Sequence, residues 1–237
     1  MGIDPAIFKA YDVRGLYPEQ IDAGVAGLIG RALAEQLGAR RLGVGMDPRT
    51  SSPELAEAFA AGAAAGGALE VERYGVVATE MVYFGVASRG LDGGAMITAS
   101  HNPRQYNGAK LVAEGALPLS GEQGMPELRR RVLELEAAGG RGGSGEATGR
   151  AQAAGPSGAA LAGASGSDGH PLAPARAPVV DLYPAYVEHL LTFADPAAWP
   201  AFTVVMDAAN GVAGALAPGT TLPDTSVTFR DIDDGET

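Results

Sequence analysis

Arg41-Leu42-Gly43-Val44-Gly45-Met46-Asp47-Pro48-Arg49-Thr50-Ser51-Ser52-Pro53-Glu54 joins a short apolar run to the opening of a helix. Its first six residues read as a strand. Ser51, Ser52, Pro53 and Glu54 then supply a capping hydroxyl, a first-turn proline and an acidic residue suited to a helix start. Strand passing directly into helix is the unit of layered α/β folds. Upstream, Val25, Leu28, Ile29, Leu33 and Leu37 recur at one-face helical spacing within Asp22 to Leu37, and Gly38 stops the helix. Downstream the alternation continues with a strand over Val71 to Val77, a helix over Glu80 to Arg89, a strand over Gly94 to Ala99, a polar loop, and a strand over Ala109 to Ala113. Met125 to Ala138 is a charged amphipathic helix, with Leu128, Val132 and Leu135 inward and Arg129, Arg130, Arg131 and Glu134 exposed. The expected class is α/β, a sheet with helices on its faces and functional loops at the strand ends.

The organisation changes after Ala138. Residues 139–178 are dominated by glycine, alanine, serine and proline, with Leu161 and Leu172 among the few side chains able to anchor a core. Such a stretch cannot bury enough apolar area to offset the cost of ordering, so a flexible linker is expected. Helical spacing resumes over Asp181 to Phe193 through Leu182, Tyr186, Leu190 and Phe193, followed by strand candidates at Phe202 to Asp207 and Ser226 to Phe229. The expected division is a first unit over 1–138, the linker over 139–178 and an incomplete second α/β unit over 179–237.

Seventeen basic against twenty-eight acidic side chains give a net charge of -11, the wrong sign for nucleic acid or an anionic membrane. An anionic ligand would therefore need local positive partners. The absence of cysteine rules out disulfides and thiolate metal sites and fits a cytoplasmic protein. Charged residues interrupt Met1 to Tyr17, leaving no signal-peptide core, and the Ala/Gly-rich run near Ala56 to Leu69 suits a small-residue helix better than a membrane span.

The densest polar cluster, Thr98-Ala99-Ser100-His101-Asn102-Pro103, directly follows the apolar Ala95-Met96-Ile97. A strand ending in a hydroxyl, an imidazole and an amide places reactive groups on a rigid edge. The same composition also suits a plain turn, with Asn107-Gly108 a second turn signal. A Ser-His hydrolase is disfavoured, because neighbours on an extended chain point to opposite sides and no G-x-S-x-G is present. Gly43-Val44-Gly45 lacks the third glycine of a dinucleotide loop, where Pro48 stands.

Two segments carry a specific resemblance. Phe8-Lys9-Ala10-Tyr11-Asp12-Val13-Arg14-Gly15 is similar to the N-terminal signature of bacterial phosphomannomutase/phosphoglucomutase enzymes, and Thr98 to Pro103 resembles the phosphoserine loop of the α-D-phosphohexomutase superfamily. Gly45 to Ser52, Gly75 to Phe84, Tyr106 to Lys110 and Val204 to Gly214 resemble further family segments in the right order. The resemblance implies a layered α/β first domain with a mixed sheet between helices. It also implies an isomerase of carbohydrate metabolism that shifts phosphate between C1 and C6 of a hexose through a phosphoserine and a bisphosphorylated sugar. Ser100 would carry the phosphate and, through it, ligate Mg2+; a hexose 1,6-bisphosphate would act as activator. Lys110 would be the acid/base and Arg14 a catalytic partner of the phosphoserine, with Tyr11, His101 and Asn102 binding substrate or supporting the loop. A lysine's ordinary pKa of about 10.4 is high for a base at neutral pH, so a neighbouring charge or burial is expected to lower it. Without the resemblance, Lys110 reads as a solvated strand-edge lysine and Arg14 as a surface ion pair. Arg49 is read as a loop support or an inter-strand structural ion pair and is left out of the core site.

Phosphoglucosamine mutases, the nearest rival, resemble the chain less at Lys9-Ala10-Tyr11-Asp12. The family's Asp-Gly-Asp-x-Asp-Arg metal loop does not occur in the sequence, nor do the sugar-recognition and distal-phosphate loops of its later domains; Asp231-Ile232-Asp233-Asp234 is read as solvated acid. The chain alone is thus expected to be an inactive fragment, whose missing domains a second polypeptide could supply. The expected partner is a phosphorylated hexose, with no nucleic acid and no membrane. The alternative is a non-catalytic sugar-phosphate-binding module.

Overall fold

The computed structural model describes residues 2–121, 124–139, 179–193, 195 and 198, together with the backbone of 203–206 and 226–229. The first of these segments builds a mixed sheet in the order β1 (Val13–Leu16), β5 (Tyr106–Ala113), β4 (Gly93–Ile97), β2 (Arg41–Met46) and β3 (Glu70–Val76), with the two-residue β6 (Leu117–Pro118) appended to β5. Strands β2, β3 and β4 run parallel; β5 is antiparallel to both β4 and β1. Parallel neighbours need crossover helices, which are α2 (Ser52–Ala65) between β2 and β3 and α3 (Thr79–Ser88) between β3 and β4.

Side chains alternate across a strand, and the sheet accordingly separates two cores. Val44, Ala95, Ile97, Ala109 and Leu111 face α1 (Ala23–Leu37), α2 and α4 (Met125–Ala137); Tyr74, Met96 and Val112 face α3. Helix α1 is framed as its sequence requires: Asp22 Oδ1 accepts the Val25 amide at 2.8 Å, and Gly38 closes the other end at φ 58°. Such an N-cap contributes about 1 kcal/mol. The Ala/Gly content of α2 is explained by its crossing with α1, where a methyl group at Gly62 would overlap the Gly27 carbonyl.

Several boundaries shift and some readings change. Asn107-Gly108, read as a turn, lies inside β5, which starts at Tyr106 rather than Ala109. Pairing with β1 prevails over the local turn preference, because Arg14 and Gly15 stand opposite Gly108 and Asn107. Ser51 occupies the N-cap position of α2 but makes no side-chain capping bond; its hydroxyl and that of Ser52 instead accept from Asn107 Nδ2 at 2.7 and 3.0 Å. Arg131 is not fully exposed, since its Nε reaches Glu35 of α1 at 2.6 Å. The helix read over Asp181 to Phe193 is α5 (Tyr183–Leu191). It lies on α3: Leu182 is buried in the α3-side core, Phe84 makes ring contacts with Tyr186 and His189, and the Val180 amide donates to the Arg73 carbonyl at 2.7 Å. Strands β7 (Thr203–Met206) and β8 (Ser226–Phe229) pair in parallel. Apart from Gly139, the linker expected over 139–178 lies outside the described residues.

The amino ends of β2 and β4 are tied by charge. Asp92 Oδ2 accepts the Arg40 and Arg41 amides at 2.7 and 2.8 Å, and these backbone bonds hold its carboxyl below the ordinary range. Buried Glu72 takes Arg41 and Arg89, and Tyr74 donates to it.

Two measurements follow from this packing. Gly62→Ala should improve helix propensity by about 1 kcal/mol yet lower net stability by about 1–3 kcal/mol through overpacking; a raised urea midpoint would contradict the close crossing. A carboxyl depressed in the folded state stabilises above its unfolded pKa and loses that contribution as the pH falls through the folded value. The stability difference between the parent chain and Asp92→Asn should therefore be full at neutral pH and shrink below about pH 4, as read from denaturant midpoints across pH.

Candidate active site

The carboxyl ends of β2 and β4 lie side by side, with Met46 opposite Ile97, and the loops after them share one edge of the sheet. Strand β5 returns from that edge with Lys110 opposite Met96, and β1 lies beyond it with Arg14 opposite Gly108. Gly108 and Lys110 are two residues apart, so Arg14 and Lys110 project from the same face. A side chain at Gly108 would overlap the Val13 carbonyl oxygen, so glycine is what lets β1 approach here.

Asp12 joins the two cations. Its carboxylate is buried, and Oδ2 accepts from Arg14 Nη2 at 2.6 Å, Arg14 Nε at 2.8 Å and Lys110 Nζ at 3.3 Å. Arg14 Nη1 then reaches Asn102 Oδ1 at 2.7 Å, linking β1 to the loop after β4. Arg14, Lys110, Asn102 and Tyr11 line one cavity of about 630 Å³ together with Lys9, Asp12, Gln20 and Tyr106. Three cations against one carboxylate make this cavity positive in a chain of net charge -11. It supplies the local positive charge that an anionic ligand would require. Tyr11 is 71% exposed and available to an incoming molecule. Nearby on α3, burial pushes the Tyr83 phenol up, with the carboxylates of Glu80 and Asp12 adding to the effect.

Ser100 is held in an uncommon conformation. Its φ is 57°, a left-handed backbone that costs a non-glycine residue about 1–2 kcal/mol. Thr98 Oγ1 accepts the Ser100 amide at 2.8 Å while donating to Asp47 Oδ2 at 2.7 Å. Asp47 also accepts from Ser52 Oγ at 2.5 Å and Arg49 Nε at 2.9 Å. The remaining guanidinium of Arg49 donates to the carbonyls of Ser100, Asn102, Pro103 and Tyr106 at 2.7–3.2 Å. Arg49 therefore supports the loop, and its ion pair is made to Asp47 within its own loop rather than between strands.

Because Ser100 is left-handed, the premise of an extended chain at Ser100-His101 does not hold, and His101 Nδ1 lies 3.4 Å from Ser100 Oγ. That is long for a hydrogen bond between exposed groups. Ser100 and His101 stand on the exposed loop, whereas Arg14, Lys110, Asn102 and Tyr11 line the cavity; Asn102 connects the two sets. Sequence reasoning left out Asp12, Asp47, Thr98 and Asn107. Asp12 had a readable signal, since residues two apart on an extended chain share a face and Arg14 follows at that spacing.

Mg2+ demands close to six oxygens in octahedral array. Among the described residues, no group of three or more His, Cys, Asp or Glu could hold a metal ion, and the Asp12 carboxylate is already engaged by Arg14 and Lys110. The described residues do not by themselves form a Mg2+ site. Also among them, no helix is long and apolar enough to cross a membrane.

Asp12→Ala, by leaving Arg14 and Lys110 without their shared acceptor, should lower stability by about 1–3 kcal/mol. An unchanged denaturation midpoint would mean that the triad contributes nothing to the fold.

Residues 5–138 match the family model described as phosphoglucomutase/phosphomannomutase, alpha/beta/alpha domain I. The chain is 38% identical over 209 residues to a protein of Xanthomonas campestris pv. campestris (strain B100) named phosphohexose mutases, covering 88% of this chain and 40% of that protein. It is 44% identical over 127 residues to a Klebsiella pneumoniae phosphomannomutase, covering 54% of this chain and 80% of that one. A solved phosphoglucomutase/phosphomannomutase family protein from Burkholderia thailandensis superposes with a TM-score of 0.71 at 30% identity, covering 98% of this chain and 45% of the other. The chain thus spans about two fifths of the length of its Xanthomonas relative.

Proposed function

The chain belongs to the phosphoglucomutase/phosphomannomutase family, and from that membership we propose that Ser100 is the phosphate carrier of a phosphohexomutase. The observation that carries the reading is the cavity in which Arg14, Lys110 and Asn102 meet beside the loop that presents Ser100.

In the proposed transfer the bond from phosphorus to Ser100 Oγ breaks and a bond to a sugar hydroxyl oxygen forms. The hydroxyl's proton passes to a base, for which Lys110 in its neutral amine form is proposed, and the departing Ser100 Oγ takes up a proton from water. The reverse step, from the other phosphate of a bisphosphorylated sugar, returns phosphate to Ser100 and moves the net position between C1 and C6. Phosphoryl transfer depends on alignment and charge stabilisation more than on covalent work by the protein. Arg14 suits this need because it is fixed from one side by Asp12 and from another by Asn102. Tyr11 and His101 are proposed as contacts for substrate or phosphate. A hexose 1,6-bisphosphate is the proposed donor for charging Ser100 and a phosphorylated hexose the proposed substrate. Mg2+ is proposed only as counter-ion to phosphate on Ser100, with no step assigned to it. A cytoplasmic setting and phosphate acceptance without full isomerisation by these 237 residues complete the reading.

Incubation with glucose 1,6-bisphosphate and Mg2+ should add one phosphate, located to Ser100 by peptide mass spectrometry and absent in Ser100→Ala. Lys110→Met should slow the uptake about 100-fold or more, the usual range for loss of an acid/base group. Sugar-phosphate binding with no phosphorylation, where a full-length family member is phosphorylated alongside, would replace this reading with a non-catalytic binding module.

A further inference from the structure

We propose that Arg49 is the positioning residue that holds Ser100 in its transfer-ready backbone conformation, an inference that rests on the reading of Ser100 as phosphate carrier. A guanidinium has five N–H donors in a fixed planar fork. Here each finds an acceptor: Nε takes Asp47 Oδ2 at 2.9 Å, Nη1 takes the Pro103 and Tyr106 carbonyls at 2.9 and 3.2 Å, and Nη2 takes the Ser100 and Asn102 carbonyls at 2.8 and 2.7 Å. Those four carbonyls span the whole loop from the nucleophile to the first residue of β5.

The loop needs such a restraint. Ser100 is one of two non-glycine residues with positive φ among the described residues, and its side chain is exposed, so packing of that side chain does not hold the conformation. Left-handed backbone at a serine persists where surrounding bonds over-determine it. Two such bonds converge on Ser100: Thr98 Oγ1 takes its amide and Arg49 Nη2 takes its carbonyl. Both trace back to the same atom, Asp47 Oδ2. Arg49 is half-buried and lies outside the set that lines the cavity, so its effect on transfer would run through the loop backbone. Lysine keeps the positive charge, but its three donors radiate from one point and cannot reproduce the fork.

The test uses the full chain with Arg49→Lys and Arg49→Ala, together with Asp92→Asn as a variant altered at the opposite edge of the sheet. Two quantities are read: the rate of phosphate uptake from glucose 1,6-bisphosphate by intact mass, and amide hydrogen exchange over 98–106. Both Arg49 variants should take up phosphate on the order of 100-fold more slowly, the scale expected for a misplaced reacting group. Exchange at Ser100 and Asn102 should quicken while Gly94–Ile97 stays protected. Added guanidinium ion should raise the rate in Arg49→Ala and not in the parent, and Asp92→Asn should leave both readouts at parental values. Parental uptake and exchange in Arg49→Lys would overturn the proposal, as would losses in the Arg49 variants that Asp92→Asn reproduces. If the parent chain takes up no phosphate, the reading of Ser100 fails instead. Exchange then decides on Arg49 alone: a loosened loop keeps the restraint, and an unchanged one removes it.

Discussion

One buried carboxylate, that of Asp47, ties together three separate pieces of the chain. It receives the Thr98 hydroxyl from the end of β4, the Ser52 hydroxyl from the first turn of α2, and the Arg49 guanidinium from its own loop. A buried anion is tolerable only when its lone pairs are engaged in this way. Asn107 repeats the device from the next strand, placing its amide between Ser51 and Ser52. The start of α2 is therefore braced against two strands, and the geometry of the loop bearing Ser100 follows from that bracing.

The two ends of the sheet divide the work. At the amino ends of β2 and β4, Asp92 and Glu72 draw backbone amides and arginines into bonds with their carboxylates. At the carboxyl ends the polar groups are split between those bound to one another and those open to the cavity. Lys110 and Arg14 belong to the second set even though they share Asp12, because their positive charge exceeds what one carboxylate offsets. The sign of the cavity is thus independent of the sign of the whole chain.

Much of this was legible in the residues. The helical spacing over Asp22 to Leu37 and its Gly38 stop reappear in α1, and Arg41 to Met46 is β2 end to end. Such elements are set by local periodicity, which a sequence carries openly. What resisted reading was whatever depended on partners distant in the chain. Val13–Leu16 is too short to announce itself and becomes a strand only because β5 offers it a ladder. Asn107-Gly108 carries the composition of a turn and the pairing of a strand, and the pairing prevails. Ser51 resembles a cap, yet the amide that claims it lies 56 positions away. At the site, the motif singled out Ser100, Arg14 and Lys110 as candidates and the spacing of Asp12 and Arg14 carried a signal for their pairing, while the four carbonyls on Arg49 emerge only from the folded backbone.

The short bridge between Arg73 and Val179 has a consequence for how copies of this protein meet one another. Strand β3 is an outer strand of the sheet, and such a strand offers unpaired amides and carbonyls to any extended chain that passes. Val179 and Val180 occupy part of that border, and Leu182 follows them into the core beneath. The isolated bridge of Phe8 to Val13 does the same at the far border, beside β1. Cleavage in the glycine- and alanine-rich stretch before Val179 would leave this guard attached only by noncovalent contacts. Its departure would lengthen the open part of that border as a template for strand-to-strand association, so residues that sequence reading assigned to the second unit help to guard the first.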